Sequence, residues 1–238
     1  MEIGRLIAVR RLASDPDFAK AGFGAIEGGV SALLGLLLVF TFSGAGARFD
    51  ARRQLIVEET NAIGTAYLRL DMLPAAAQPA LRDSFRRYVD ARLMVYGKLP
   101  DMAAATEERT KANNLQRDVW QQAVAAVWSE NAQPQAAVVL LPALNAMIDI
   151  TTTRTMAGQV HPPPVIFVML IALALVSSLL AGYGMAGGKS RSLLHMVCFA
   201  VVIAVAVYVI LDLEYPRAGL IRVGAFDQAL MGLRQSMK

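Results

Sequence analysis

The sequence holds a single cysteine, Cys198, and two histidines, His161 and His195. One thiol excludes an internal disulfide and a thiolate zinc site, and two imidazoles are a thin supply for metal or acid/base work. Charge is scarce as well: 18% of the 238 residues are Asp, Glu, Lys or Arg, where soluble domains run near ~25%. Enzyme motifs are missing, with no glycine-rich phosphate loop, no HExxH, no nucleophile elbow and no cysteine or histidine cluster. The chain is therefore not read as an enzyme, and no catalytic residue, cofactor or metal is expected. Gly182-Tyr183-Gly184 and Gly187-Gly188 match a phosphate loop in composition alone; in an apolar helix such glycines permit close helix approach. The net charge of +4 is modest, and no basic run woven with aromatics suggests nucleic acid.

What is abundant is apolar residue, 55% of the chain, and it is gathered in blocks. Residues 28–47 (GGVSALLGLLLVFTFSGAGA) carry no charge, which at 1.5 Å per residue spans about 30 Å of hydrocarbon. Residues 162–188 are uncharged after a Pro162-Pro163-Pro164 entry, and 192–211 hold only His195 before ending at Asp212 and Glu214. Three transmembrane helices are expected, over 23–47, 162–188 and 192–211. The short connection between the last two predicts an antiparallel hairpin packed side by side. A cleaved signal peptide competes for the first block, but its apolar core exceeds the usual ~7–15 residues.

Between the first and second spans the pattern is amphipathic and helical. Leu55, Ile56, Ala62, Ile63, Ala66, Tyr67 and Leu70 recur at three- and four-residue spacings, so the first span is expected to continue out of the membrane as one helix. Pro74 and Pro79 break it. Further helices are expected over 80–99, stopped by Pro100, over 101–128, and over 134–156, where Pro142, Asn145 and Asp149 favour a buried or interfacial helix over a span. No strand pattern appears. The fold class is all-α: an integral membrane protein with an N-terminal tail (1–22), a helical extramembrane domain (48–161) and a C-terminal tail (212–238).

Charges near the spans leave orientation open. Arg5, Arg10, Arg11, Lys20, Lys189 and Arg191 fall on one face, and Arg48, Arg52, Arg53, Arg154, Arg217 and Arg222 on the other. Opposite charges outside the first and third spans predict an interfacial ion cluster of Arg48, Arg52, Arg53, Asp212, Glu214 and Arg217. A hard-cation site built on Asp212 and Glu214 is the alternative. Glu58 and Glu59 form an adjacent pair, but neighbours on a helix point about 100° apart, so they are not aimed at one atom. Glu59 lies four before Ile63 on the apolar side, and an acid there needs a partner from another helix or subunit.

Three segments carry a resemblance: FDARR (49–53), EETNAIGTAYLR (58–69) and ILDLEYPRAGLIRV (210–223). With them, the chain from about residue 22 onward resembles the bestrophin-like family of bacterial membrane proteins. The resemblance implies kinship to pentameric anion channels with four spans, a pore lined by the second, and a large helical part between the second and third. Two departures stand out: the sequence from Met1 to Arg11 looks like the tail of a further span, and the aromatic neck and the calcium-binding acids are absent. The resemblance implies a homo-oligomeric ion channel in the bacterial inner membrane, its pore lined by the first span of this chain. Glu27, Thr41, Ser43 and Arg48 are the expected polar contacts of that pore. The alternative is a non-conducting membrane scaffold or sensor with a partner-binding helical domain.

Overall fold

The computed structural model describes residues 1–14, 23–99, 101–185, 193–216, 219–221 and 223–237. Among the described residues eight α-helices follow one another: α1 Glu2–Ser14, α2 Phe23–Leu68, α3 Gln78–Gly97, α4 Met102–Val127, α5 Pro134–Ala157, α6 Pro164–Gly184, α7 Leu193–Glu214 and α8 Gly224–Ser236. A 3-10 turn, Arg69–Met72, follows α2, and no strand occurs among the described residues. Helix starts follow local chemistry. Asp101 caps α4 by accepting from the amides of Ala103 and Ala104, both at 3.1 Å, while Pro134 and Pro164 open α5 and α6, where a missing N–H costs nothing.

Among the described residues four helices are long and apolar enough to cross a membrane: α2 with its 3-10 extension, α5, α6 and α7. The chain divides into two units, Met1–Ala47 with His161–Glu214, and Arg48–Val160 with Tyr215–Lys238.

In the first unit α1 lies against α6. Their contact needs glycine on both sides: a Cβ on Gly182 would fall 1.9 Å from the Met1 carbonyl oxygen, and one on Gly4 would fall 2.0 Å from that of Leu179. The Met1 amine donates to Ser178 Oγ at 3.2 Å, and Ser31 of α2 meets the buried Ser177 of α6 at 2.9 Å. Hydroxyl pairs of this kind join helices where no water competes. Helix α1 occupies much of the stretch expected as a tail. The loop of the expected α6–α7 hairpin lies outside the described residues; the helices themselves line a shared apolar cleft of about 520 Å³, walled by Leu170, Ala174, Phe199, Ile203 and Val207.

The second unit is a helical domain with its own core. Ile63 and Tyr67 of α2 and Leu70 of the 3-10 turn pack with Phe85 and Tyr88 of α3, Val119 of α4, Leu140, Leu144 and Met147 of α5, and Leu230 of α8, all fully or nearly fully buried. Each such side chain contributes about 1.5–3 kcal/mol of burial, so this core makes the unit cohesive. The Tyr67 and Phe85 rings meet edge to face, 5.8 Å between centroids. Helix α5 is apolar because it supplies this core, which is the buried role its Pro142 and Asp149 suggested. Helix α8, within the expected C-terminal tail, docks here: Leu233 comes within 3.3 Å of where a Cβ on Gly64 would stand, and Arg234 makes two bonds to Asp90 at 2.8 and 2.9 Å.

Candidate functional site

Helix α2 is one unbroken helix of 46 residues, which at 1.5 Å per residue is about 69 Å long. Its buried residues fall on one side: Leu34, Thr41, Ala45, Ile56, Glu59, Ile63, Ala66 and Tyr67. The opposite row is Gly29, Ala32, Leu36, Val39, Ser43, Ala47, Asp50, Gln54, Glu58, Asn61 and Thr65, and each of these is exposed. Its steps are of three or four residues and average the helical period of about 3.6, so the row keeps to one side of the helix. Up to Ala47 that face is small or apolar, with Ser43 its one polar side chain. From Asp50 onward it is polar.

The inner row carries charge at one place, and there it is neutralised. Glu59 is fully buried; its Oε1 accepts from Arg92 Nε at 2.7 Å and its Oε2 from Arg154 Nη1 at 2.5 Å. The Tyr96 hydroxyl donates to Oε2 at 3.4 Å and accepts from Arg92. Arg154 also donates to Asp227 of α8 at 3.3 Å, and its guanidinium lies 3.7 Å from the Tyr96 ring centre. Two carboxylates and two guanidiniums from α2, α3, α5 and α8 thus balance. Burial pushes the Glu59 carboxyl up, but the Arg92 and Arg154 charges and their hydrogen bonds outweigh it and hold the group below the usual carboxylate value. For Arg92, burial opposes the charge and the neighbouring Tyr96 and Glu59 override it, leaving the guanidinium above its ordinary value. Beside them Tyr88, bonded to Thr151 at 3.1 Å, is pushed up to about 12 by burial. The network holds no nucleophile aimed at open space. Its chemistry is to fix the rotation of α2 about its axis, with Tyr96 and Asp227 also walling a cavity of about 400 Å³.

The expected site residues distribute as follows. Ser43 is on the exposed row, whereas Thr41 is buried and donates to the Leu37 carbonyl at 2.7 Å. Glu27 is half-buried, 2.8 Å from where a Cβ on Gly184 would stand, and Arg48 is half-buried. Arg52 donates to the carbonyls of Ala157 and Val160, and Arg53 pairs with Asp50 at 3.0 Å. Asp212 and Glu214 are buried, Glu214 bonding His161 Nδ1 at 2.9 Å; Arg217 lies outside the described residues. Sequence reasoning found Glu59 but missed Arg92, Tyr96, Arg154 and Asp227. A signal was present: Arg92 is in phase with Leu81, Phe85, Tyr88 and Val95, and Arg154 with Leu140, Leu144, Met147 and Thr151, all buried.

A family model described as a bestrophin-like domain matches residues 8–225. No curated protein matches the sequence. Among solved structures, a point mutant of a bacterial bestrophin homologue from Klebsiella pneumoniae is similar at a TM-score of 0.74 and 13% identity, over 98% of this chain and 95% of that one. A second structure of a bacterial bestrophin homologue from the same organism, phased with zinc, is similar at 0.71 and 12%, over 98% and 96%. At such identities the likeness is one of fold.

Proposed function

Because the chain belongs to the bestrophin-like family, we propose that it assembles as a homo-oligomer around an ion-conducting pore in the bacterial inner membrane, with the exposed row of α2 as the pore lining. The observation that carries this reading is the row itself. Eleven positions along one helix face, from Gly29 to Thr65, are exposed, and the buried residues of α2, from Leu34 to Tyr67, lie on its other side. A helix whose far side is built into a core presents its near side to copies of itself or to a shared lumen. Gly29, Ala32, Ser43 and Ala47 are small enough for close approach of several copies, and Leu36 with Val39 makes an apolar constriction of the kind that gates by dewetting. In this reading Ser43 stands at the pore surface while Glu27, Thr41 and Arg48 back it. The charged positions Arg48, Arg52, Arg53, Asp212 and Glu214 mark where the chain leaves hydrocarbon.

Purified protein in liposomes, with flux followed under separate chloride, potassium and sodium gradients, tests the proposal. Flux in at least one gradient, from protein that chemical cross-linking shows to be oligomeric, is the expected result. No flux in any gradient from folded, oligomeric protein would favour a non-conducting scaffold or sensor.

A further inference from the structure

We propose that Glu58 sets the charge selectivity of this pore and that the pore favours cations. The inference rests on the pore reading above and goes beyond it to the sign of the ion. Charged side chains on the exposed row of α2 number two, Asp50 and Glu58, and both are acidic. The basic side chains of α2 stand off that row: Arg48, Arg52 and Arg53 are each half-buried, and Arg52 is engaged by two backbone carbonyls. The positions on the exposed row thus carry negative charge alone, and the basic positions of α2 stand beside it.

The two acids differ in what they offer an ion. Asp50 is paired with Arg53 at 3.0 Å, so its charge is offset beside it. Glu58 accepts from the side-chain amide of Gln54 at 2.8 Å, a neutral donor on the same row that orients the carboxylate and leaves its charge intact. The next residue, Glu59, is fixed by Arg92 and Arg154, and because neighbours on a helix differ by about 100°, that anchor prevents Glu58 from rotating out of the row. In a closed oligomer each protomer contributes one such carboxylate at one level. A ring of carboxylates concentrates cations and repels anions within about a Debye length, roughly 10 Å at 0.1 M salt.

The test is the reversal potential of the reconstituted protein in a potassium chloride gradient, for wild type, Glu58→Gln, Glu58→Ala and, as a charge-matched control, Glu107→Gln on the exposed surface of α4. Wild type and control should favour potassium over chloride. Either Glu58 variant should lower that preference about ten-fold, the low end of what a one-sign cleft achieves, and the loss should be larger at low ionic strength. Chloride preference in the wild type overturns the proposal while leaving the pore intact. Potassium preference that survives in both Glu58 variants overturns the role of Glu58. Silence in every gradient from folded, oligomeric wild type overturns the pore reading and this proposal with it, an outcome distinct from flux of the wrong sign.

Discussion

Glu58 and Glu59 are adjacent and meet opposite surroundings, one on the exposed row and one wholly buried. A lone buried carboxylate would take up a proton; Glu59 keeps its charge because Arg92 and Arg154 flank it. Removing one of these arginines leaves an uncompensated charge inside the helical unit. Arg92→Ala is expected to destabilise by about 3–5 kcal/mol, read as a large drop in melting temperature in detergent, whereas Arg86→Ala, an exposed pair with Asp83, should cost at most about 1 kcal/mol. The same site gives a pH dependence. Glu59 titrates lower in the folded than in the unfolded chain, so below the ordinary value of 4.5 the unfolded state binds more protons. Its stabilisation is present above that value and is lost as pH falls through the lower folded value. Thermal melting from pH 7 down into that range should show a steep fall in the wild type and a shallower one in Glu59→Gln; parallel curves would contradict the assignment.

At the scale of elements, helix contacts in the first unit depend on glycine. Gly182→Ala places a methyl on the Met1 backbone and should detach α1 from α6, seen as faster proteolysis within residues 2–14, while Gly28→Ala, with nothing within 4 Å, should leave that rate unchanged. Much of this level was legible in the sequence. Pro100 and Pro134 marked the helix ends of the second unit, and the apolar period through Leu55, Ile63 and Leu70 carried the first span into one long helix, because phase and proline act locally. Two features escaped for a physical reason. The docking of α1 depends on which glycine of a distant helix it meets, and a single chain's spacing does not encode that. The partners of Glu59 were written in phase, since Arg92 and Arg154 each sit on an apolar row, but an arginine on such a row is read as snorkelling unless an acid elsewhere is known to be buried. The polar residues of the first span were grouped by type, which pairs Thr41 with Ser43, whereas the helical period puts the two on opposite faces of α2.

For the whole molecule, family membership and fold place the chain among bestrophin-like membrane proteins, and the proposed pore depends on the exposed face of α2. The face is defined by its period, so the most direct measurement is periodic as well. Cys198 is the sole cysteine, so Cys198→Ala gives a background in which each residue from Gly29 to Ala47 can be replaced by cysteine and challenged with a thiol reagent during liposome flux. Block is expected at Ala32, Leu36, Val39, Ser43 and Ala47, and none at Leu34, Thr41 or Ala45. Block that follows the second set, or that shows no period near 3.6, would contradict the proposed pore face.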